Sequence, residues 1–215
     1  MKPVKDARLK TLLSLIEGGV NLADVGTDHG KLPVAALLLG RASAAIAIDV
    51  SEQSLAKARL LAEQEGVSMR CVHSDGLKAL SPGEADVVVI AGIGAAETIK
   101  ILKEAPCRFP RYLFVPHKNP PLVRRYLKEN NARIVRDIAV KEGNHFYFVI
   151  EADFSSPWEE HSLYFGTEGE AFEAYRTYRL QKVEELLSHG GDPALQEEKE
   201  ELIHAETIRD RRGAR

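Results

Sequence analysis

The chain has 215 residues, enough for one sizeable domain and a small second element but too few for two full domains. Its 44% hydrophobic and 28% charged residues are ordinary for a soluble globular protein, and no stretch reaches the roughly 18 apolar residues of a membrane span. The net charge of −3 is unevenly spread: residues 1–152 hold 21 Lys/Arg against 17 Asp/Glu, residues 153–215 only 8 against 15.

In chain order, Met1 to Asp6 leads into an amphipathic segment and not an apolar signal core. Leu9, Leu12, Leu13 and Ile16 stand at helical spacing over Arg8 to Ile16, and Gly18-Gly19 ends that helix. A first strand, Val20 to Val25, breaks at Gly26, and a helix follows over Pro33 to Leu39. Ala44 to Asp49 is a buried strand ending on an acid. Ser51 is the expected N-cap of a helix running to Gln64, with Gly66 as its stop. Met69 to His73 is a third strand. Ala85 to Ala91, with four successive β-branched residues, has the continuous apolar character of a central strand covered on both faces.

A helix over Ala95 to Leu102, a strand at Tyr112 to Val115 and a helix near Leu122 to Asn130 come next. Two closing strands, around 132–140 and 145–152, meet across Gly143-Asn144 as an antiparallel hairpin. Such alternation predicts an α/β domain over 1–152, a doubly wound and mostly parallel sheet of six or seven strands. Residues 153–162 read as a linker. Beyond it, Glu168 to Leu187 and Ala194 to Arg211 are two charged helices around Gly190-Gly191-Asp192-Pro193, a small helical hairpin domain over 153–215.

In such sheets, ligands bind at the carboxyl ends of the strands, near the switch point. Those ends hold Asp24-Val25-Gly26-Thr27-Asp28-His29-Gly30, then Asp49-Val50, then Ser74-Asp75-Gly76, then Ala91-Gly92-Ile93-Gly94. Small residues allow close backbone approach, and the acids suit a nucleoside-bearing ligand: Asp49 for ribose hydroxyls, Asp75 for an adenine amine, Asp28 for a sulfonium or ammonium. Each acid also sits where it could cap a helix. A dinucleotide fold would carry Gly-x-Gly-x-x-Gly after its first strand, but here an acid stands where pyrophosphate would lie. A zwitterionic, phosphate-free cofactor suits that loop better than NAD. Cys71 and Cys107 show no metal spacing and no disulfide framework, so they read as reduced thiols of a cytoplasmic protein that needs no metal.

Asp24 to Pro33 resembles the D-x-G-S/T-D-H-x-x-L-P signature of the bacterial tRNA (adenine-N1)-methyltransferase family called TrmK. Ser74-Asp75-Gly76-Leu77 and Ile90-Ala91-Gly92-Ile93-Gly94 continue the resemblance, as do Arg8-Leu9, Arg124 and Tyr164-Phe165-Gly166. Ala95, Val115-Pro116-His117 and Phe146 depart from the family pattern, so the match is closer at the cofactor end than at the substrate end. The resemblance implies a class I methyltransferase with a Rossmann-like fold and a helical C-terminal domain, using S-adenosyl-L-methionine to methylate adenine 22 of tRNA. It further implies a cofactor site of Asp24, Gly26, Thr27, Asp28, Asp49, Val50, Ser74, Asp75, Gly76, Ala91 and Gly92.

Methylation at N1 creates a cationic ring, so a carboxylate beside it would stabilise the developing charge. Asp28 is the expected group, either there or as a cofactor anchor, and His29 would orient it or serve only as a loop contact. His117 and Asn119 are the expected base contacts, Ile93 and Gly94 are further expected substrate-binding residues, and Arg8, Lys118, Arg124 and Arg125 are the expected phosphate contacts. The eleven basic residues of 98–141, against three acids, fit either an RNA-binding patch or solvated helix faces. The C-terminal helices would grip tRNA, or else pack on the domain or pair two copies, so a monomer or weak homodimer is expected. A methyltransferase of another substrate class and a non-catalytic binder with this fold are the competing readings.

Overall fold

The computed structural model describes residues 6–205. One seven-stranded sheet runs in the order β3-β2-β1-β4-β5-β7-β6. Its strands are β1 (Val20–Val25), β2 (Ala42–Asp49), β3 (Arg70–His73), β4 (Val87–Ala91), β5 (Arg111–Val115), β6 (Arg133–Glu142) and β7 (His145–Asp153). The first five are mutually parallel, and β7 pairs antiparallel with both β5 and β6. The helices are α1 (Ala7–Leu15), α2 (Lys31–Leu38), α3 (Glu52–Gln64), α4 (Ala95–Glu104), α5 (Pro120–Glu129), α6 (Phe172–Leu187) and α7 (Pro193–Ile203). This is the expected Rossmann-like doubly wound sheet, with the expected helical hairpin after it. Among the described residues no helix is long and apolar enough to cross a membrane.

Strand periodicity explains how the two faces are filled. Val88 and Ile90 point into one apolar cluster, Val87 and Val89 into the other, and Tyr112 and Phe114 alternate with Leu113 and Val115 in the same way. The second face is covered by Leu12, Leu13 and Ile16 of α1 and by Leu32, Ala35 and Ala36 of α2. The first is covered by α4, α5 and the C-terminal hairpin, whose Phe172, Tyr175, Val183 and Leu202 are buried against it. Burying a large side chain of this kind stabilises the fold by about 1.5–3 kcal/mol. Ser51 caps α3 as the sequence predicts, accepting from the Ser54 N–H at 3.2 Å, and Asp192 caps α7, accepting from Ala194 at 2.9 Å.

The second-last helix begins later than the sequence predicts. The Glu168 N–H donates to the Asp137 carbonyl and its own carbonyl accepts from Ala139, so a bridge to β6 holds residue 168 in extended pairing. Gly169, with φ of 93°, then turns the chain into α6. The expected extension of the last helix to Arg211 lies outside the described residues.

Candidate active site

Consecutive strands wind outward from β1 in one direction through β2 and β3, and from β4 in the other through β5. The sheet therefore reverses between β1 and β4, and a cleft of about 210 Å3 opens at their carboxyl ends. Asp24, Gly26, Thr27, Asp28 and His29 line it from the β1 loop, Ala91 and Gly92 from the end of β4, and Arg8 from the first turn of α1. These eight expected site residues are thus brought together. Asp6, Leu9, Leu12, Lys31, Leu32 and Val115 complete the walls.

The β1 loop is fastened to the tip of β2, since the N–H groups of Gly26 and Thr27 both donate to the Ile48 carbonyl. Gly26 has φ of 72°, and a Cβ there would come within 2.9 Å of Ile93 Cδ1. The left-handed φ favours glycine at this turn, and any larger residue would also have to displace the tip of the Ile93 side chain. Asp28 also has a positive φ, 52°, and its side chain is 72% exposed at the cleft mouth. His29 Nε2 stands 3.3 Å from its carboxylate and 3.4 Å from Lys57 Nζ. The expected contact between His29 and Asp28 is therefore present, joined by a lysine that sequence reasoning did not single out.

Asp24 is the buried acid of the site. Burial pushes its carboxyl up to about 6, against a hydrogen bond from Thr27 and with added repulsion from Asp49. Thr27 Oγ1 donates to Asp24 Oδ2 at 2.6 Å, and among the described residues no cationic side chain offsets the charge. Asp49 accepts from the backbone N–H groups of Asp28 and Ser51, at 3.2 and 2.9 Å, which fixes its carboxylate beside the same loop. Val50 is 63% exposed, and Ser74 is tied to Asp49 through an N–H to carbonyl bond of 3.1 Å. Asp75 is exposed and paired with Lys78 at 2.5 Å, a hydrogen bond that with the charges of Lys100 and Lys78 holds its carboxyl below the usual range. Gly76 packs on Ile101 of α4.

The β4 and β5 loops are stitched together. His117 N–H donates to the Ile93 carbonyl at 3.0 Å, and Ala95 N–H to the Lys118 carbonyl at 3.3 Å, so Ile93, Gly94, His117 and Lys118 form one rim. Asn119, with φ of 54°, turns that rim into α5.

Arg124 corrects the expectation of a phosphate contact. It is fully buried, bound through Nε and Nη2 to both oxygens of Asp137 at 2.7 and 3.0 Å, and donates to the Tyr164 carbonyl at 3.1 Å. A guanidinium so enclosed cannot reach solvent or RNA. Arg125, on the same helix, is exposed but does not line the cleft, and its charge is felt at Tyr164. The basic stretch is likewise dispersed: Arg111 pairs with Glu151, Arg133 with Glu159 and Arg136 with Glu168.

Residues 5–150 match the family model described as a methyltransferase domain. The chain belongs to that methyltransferase family. A curated relative, the tRNA (adenine(22)-N(1))-methyltransferase of Bacillus subtilis, is 30% identical over 153 residues. That alignment takes in 68% of this chain and 63% of the relative, so it spans less than two thirds of the relative's length. Among solved structures, M. capricolum TrmK in complex with S-adenosyl-homocysteine superposes with a TM-score of 0.81 at 21% identity, covering 93% of this methyltransferase and 96% of that chain. A Streptococcus pneumoniae protein in complex with S-adenosyl-L-methionine gives 0.80 at 23%, covering 93% and 98%. At these identities the superpositions speak for the fold. The TrmK resemblance of the sequence motifs stands.

Proposed function

We propose that this methyltransferase uses S-adenosyl-L-methionine to methylate N1 of an adenine in tRNA, at position 22, in the cytoplasm. The observation that carries the cofactor reading is Asp24, a buried carboxylate without a cationic partner among the described residues, in a cleft that Asp28 also lines. A ligand with an ammonium group would satisfy it, whereas a pyrophosphate would be repelled by Asp24, Asp28 and Asp49 together. The chemistry of the residues present therefore fits this cofactor. When bound, it supplies an electrophilic methyl group on a sulfonium.

The chain's own residues would bind and orient. Asp24 would take the ammonium, while the unused acceptor positions of Asp49 and Asp75 suit the ribose hydroxyls and the adenine amine. Gly26 and Gly92 leave the cleft floor bare enough for close approach. Adenine N1 is paired in a duplex, so the substrate base has to be unpaired or drawn out of its stack. The rim formed by Ile93, Gly94, His117, Lys118 and Asn119 is suited to receive it. Asp28, at the mouth, would stabilise the positive charge that develops on the ring or accept a proton from the exocyclic amine. Much of the acceleration then comes from holding the two reactants together. The Bacillus subtilis relative, named for adenine 22 of tRNA, supports the choice of acceptor.

The test is methyl transfer from labelled cofactor to unmodified tRNA, with the product nucleoside identified by mass. Formation of 1-methyladenosine, lost on replacing adenine 22, is the expected result. Asp28→Ala should lower turnover at least 100-fold, the scale of losing one electrostatic stabiliser. Transfer to another nucleoside, or full activity in Asp28→Ala, would overturn the corresponding assignment.

A further inference from the structure

The first turn of α1 forms one wall of the cleft, yet it is held by the far end of the chain. Glu142, at the tip of β6, accepts from the Ala7 N–H through Oε1 at 3.0 Å, and its Oε2 lies 2.7 Å from Arg8 Nε. The Arg8 guanidinium lies over the Tyr147 ring of β7, 4.4 Å from its centroid, with Nη2 also bonded to Asp6 at 3.1 Å. Tyr147 also stands near the rim, its ring centroid 6.5 Å from that of His117. Two carboxylates thus share the start of α1 and the aim of its arginine: Asp6 caps the helix, accepting from the Leu9 N–H at 2.9 Å, and Glu142 fastens Ala7 and Arg8 to β6.

We infer that Glu142 is a positioning residue for substrate RNA: it holds Arg8 flat on Tyr147 so that a pre-set cation meets the target nucleotide beside the cleft. The inference rests on the function proposed above and adds to it a residue outside the cleft walls. A free arginine side chain would lose rotamer freedom on engaging RNA. Clamped between an acid and an aromatic face, most of that loss is met on folding. A guanidinium held in this way offers two chemistries that suit a nucleotide, unused N–H donors for phosphate and a planar face for stacking a base. Glu142 does not itself line the cleft, so its effect has to run through the Arg8 and Asp6 side chains that it touches.

Glu142→Gln tests this without unfastening α1, because the amide oxygen can still accept from Ala7 while the charge beside Arg8 Nε is gone and only Asp6 still pairs with the guanidinium. The measurement is steady-state methyl transfer to unmodified tRNA by wild type, Glu142→Gln, Arg8→Ala and the double variant, with cofactor affinity by calorimetry. Glu142→Gln should raise KM for tRNA about three- to tenfold, with kcat changed less than about twofold and cofactor affinity unchanged. In the Arg8→Ala background the same replacement should add nothing. Wild-type KM in Glu142→Gln, an additive double variant, or cofactor affinity falling in step with KM would each overturn the inference, the last by showing that Glu142 serves only to seat α1. Wild-type protein that binds cofactor but transfers nothing to tRNA would instead overturn the function on which the inference rests.

Discussion

Asp24 is held in an environment that works against its own charge. Its carboxyl stands near 6, above an unfolded aspartate, because burial removes it from water faster than Thr27 compensates. A carboxyl raised by folding contributes stability that is complete below its unfolded value and is lost as pH rises through about 6. Without cofactor, then, ionised Asp24 costs the fold on the order of 1–3 kcal/mol at neutral pH, a cost that a ligand ammonium would remove. Asp24→Asn should raise the melting temperature of the cofactor-free protein at pH 7 and weaken cofactor binding at least tenfold by calorimetry. In the wild type, cofactor affinity should fall as pH drops below about 6. A variant that binds normally would remove Asp24 from the site. The acids at the strand ends were legible in the sequence because their positions follow from strand order. Which of them is buried was not, since burial of Asp24 depends on the β4 loop and α1 closing over it.

Between elements, the main tie is the buried group of Arg124 on α5, Asp137 on β6 and His161 on the segment leading to α6. His161 Nε2 lies 3.2 Å from Asp137 Oδ2, Arg124 rests 4.6 Å from the Phe148 centroid, and Gly166 passes so close that a Cβ would meet Asp137 Oδ1 at 2.2 Å. Burial alone would raise the Asp137 carboxyl, but the Arg124 charge and hydrogen bonds from His161 and Arg124 outweigh it and hold the group down at about 2. A carboxyl depressed by folding stabilises above its unfolded value, so this contribution is present above about pH 4 and lost as pH falls toward 2. Asp137→Asn would leave Arg124 charged and buried, at a cost of about 3–5 kcal/mol readable in urea unfolding. An unfolding midpoint within error of wild type would contradict that account. Sequence reasoning placed Arg124 on the surface because arginines in a basic stretch usually are; its partners lie 13 and 40 residues away.

The whole molecule is built around a sheet whose two faces are closed by different means. α1 and α2 cover one, while the other relies in part on the C-terminal hairpin, where Phe146 and Phe148 pack against Tyr175 with ring centroids 5.6 and 4.8 Å away. Part of the hairpin's acid is paired within it, as in Arg179 with Glu198 and Lys199 with Glu184, and Glu168 pairs with Arg136 of β6. A chain ended after residue 157 should lose its cooperative thermal transition or precipitate, because an aromatic sheet face would meet water. Wild-type melting of that chain, followed by circular dichroism, would show the hairpin to be dispensable for the core.

The amino-acid sequence by itself determined the alternation of strands and helices, the β6–β7 hairpin with the helical hairpin after it, and the acid-rich strand tips that name the cofactor class. These rest on local periodicity, caps and turn residues, which act over a few positions. The tertiary structure alone decided that Arg124 is a core ion, that Glu168 extends the pairing of β6 before α6 begins, and that Glu142 reaches back 135 residues to seat Ala7 and Arg8. Each depends on two distant segments meeting, and the free energy of a charge is set by what surrounds it rather than by its neighbours along the chain.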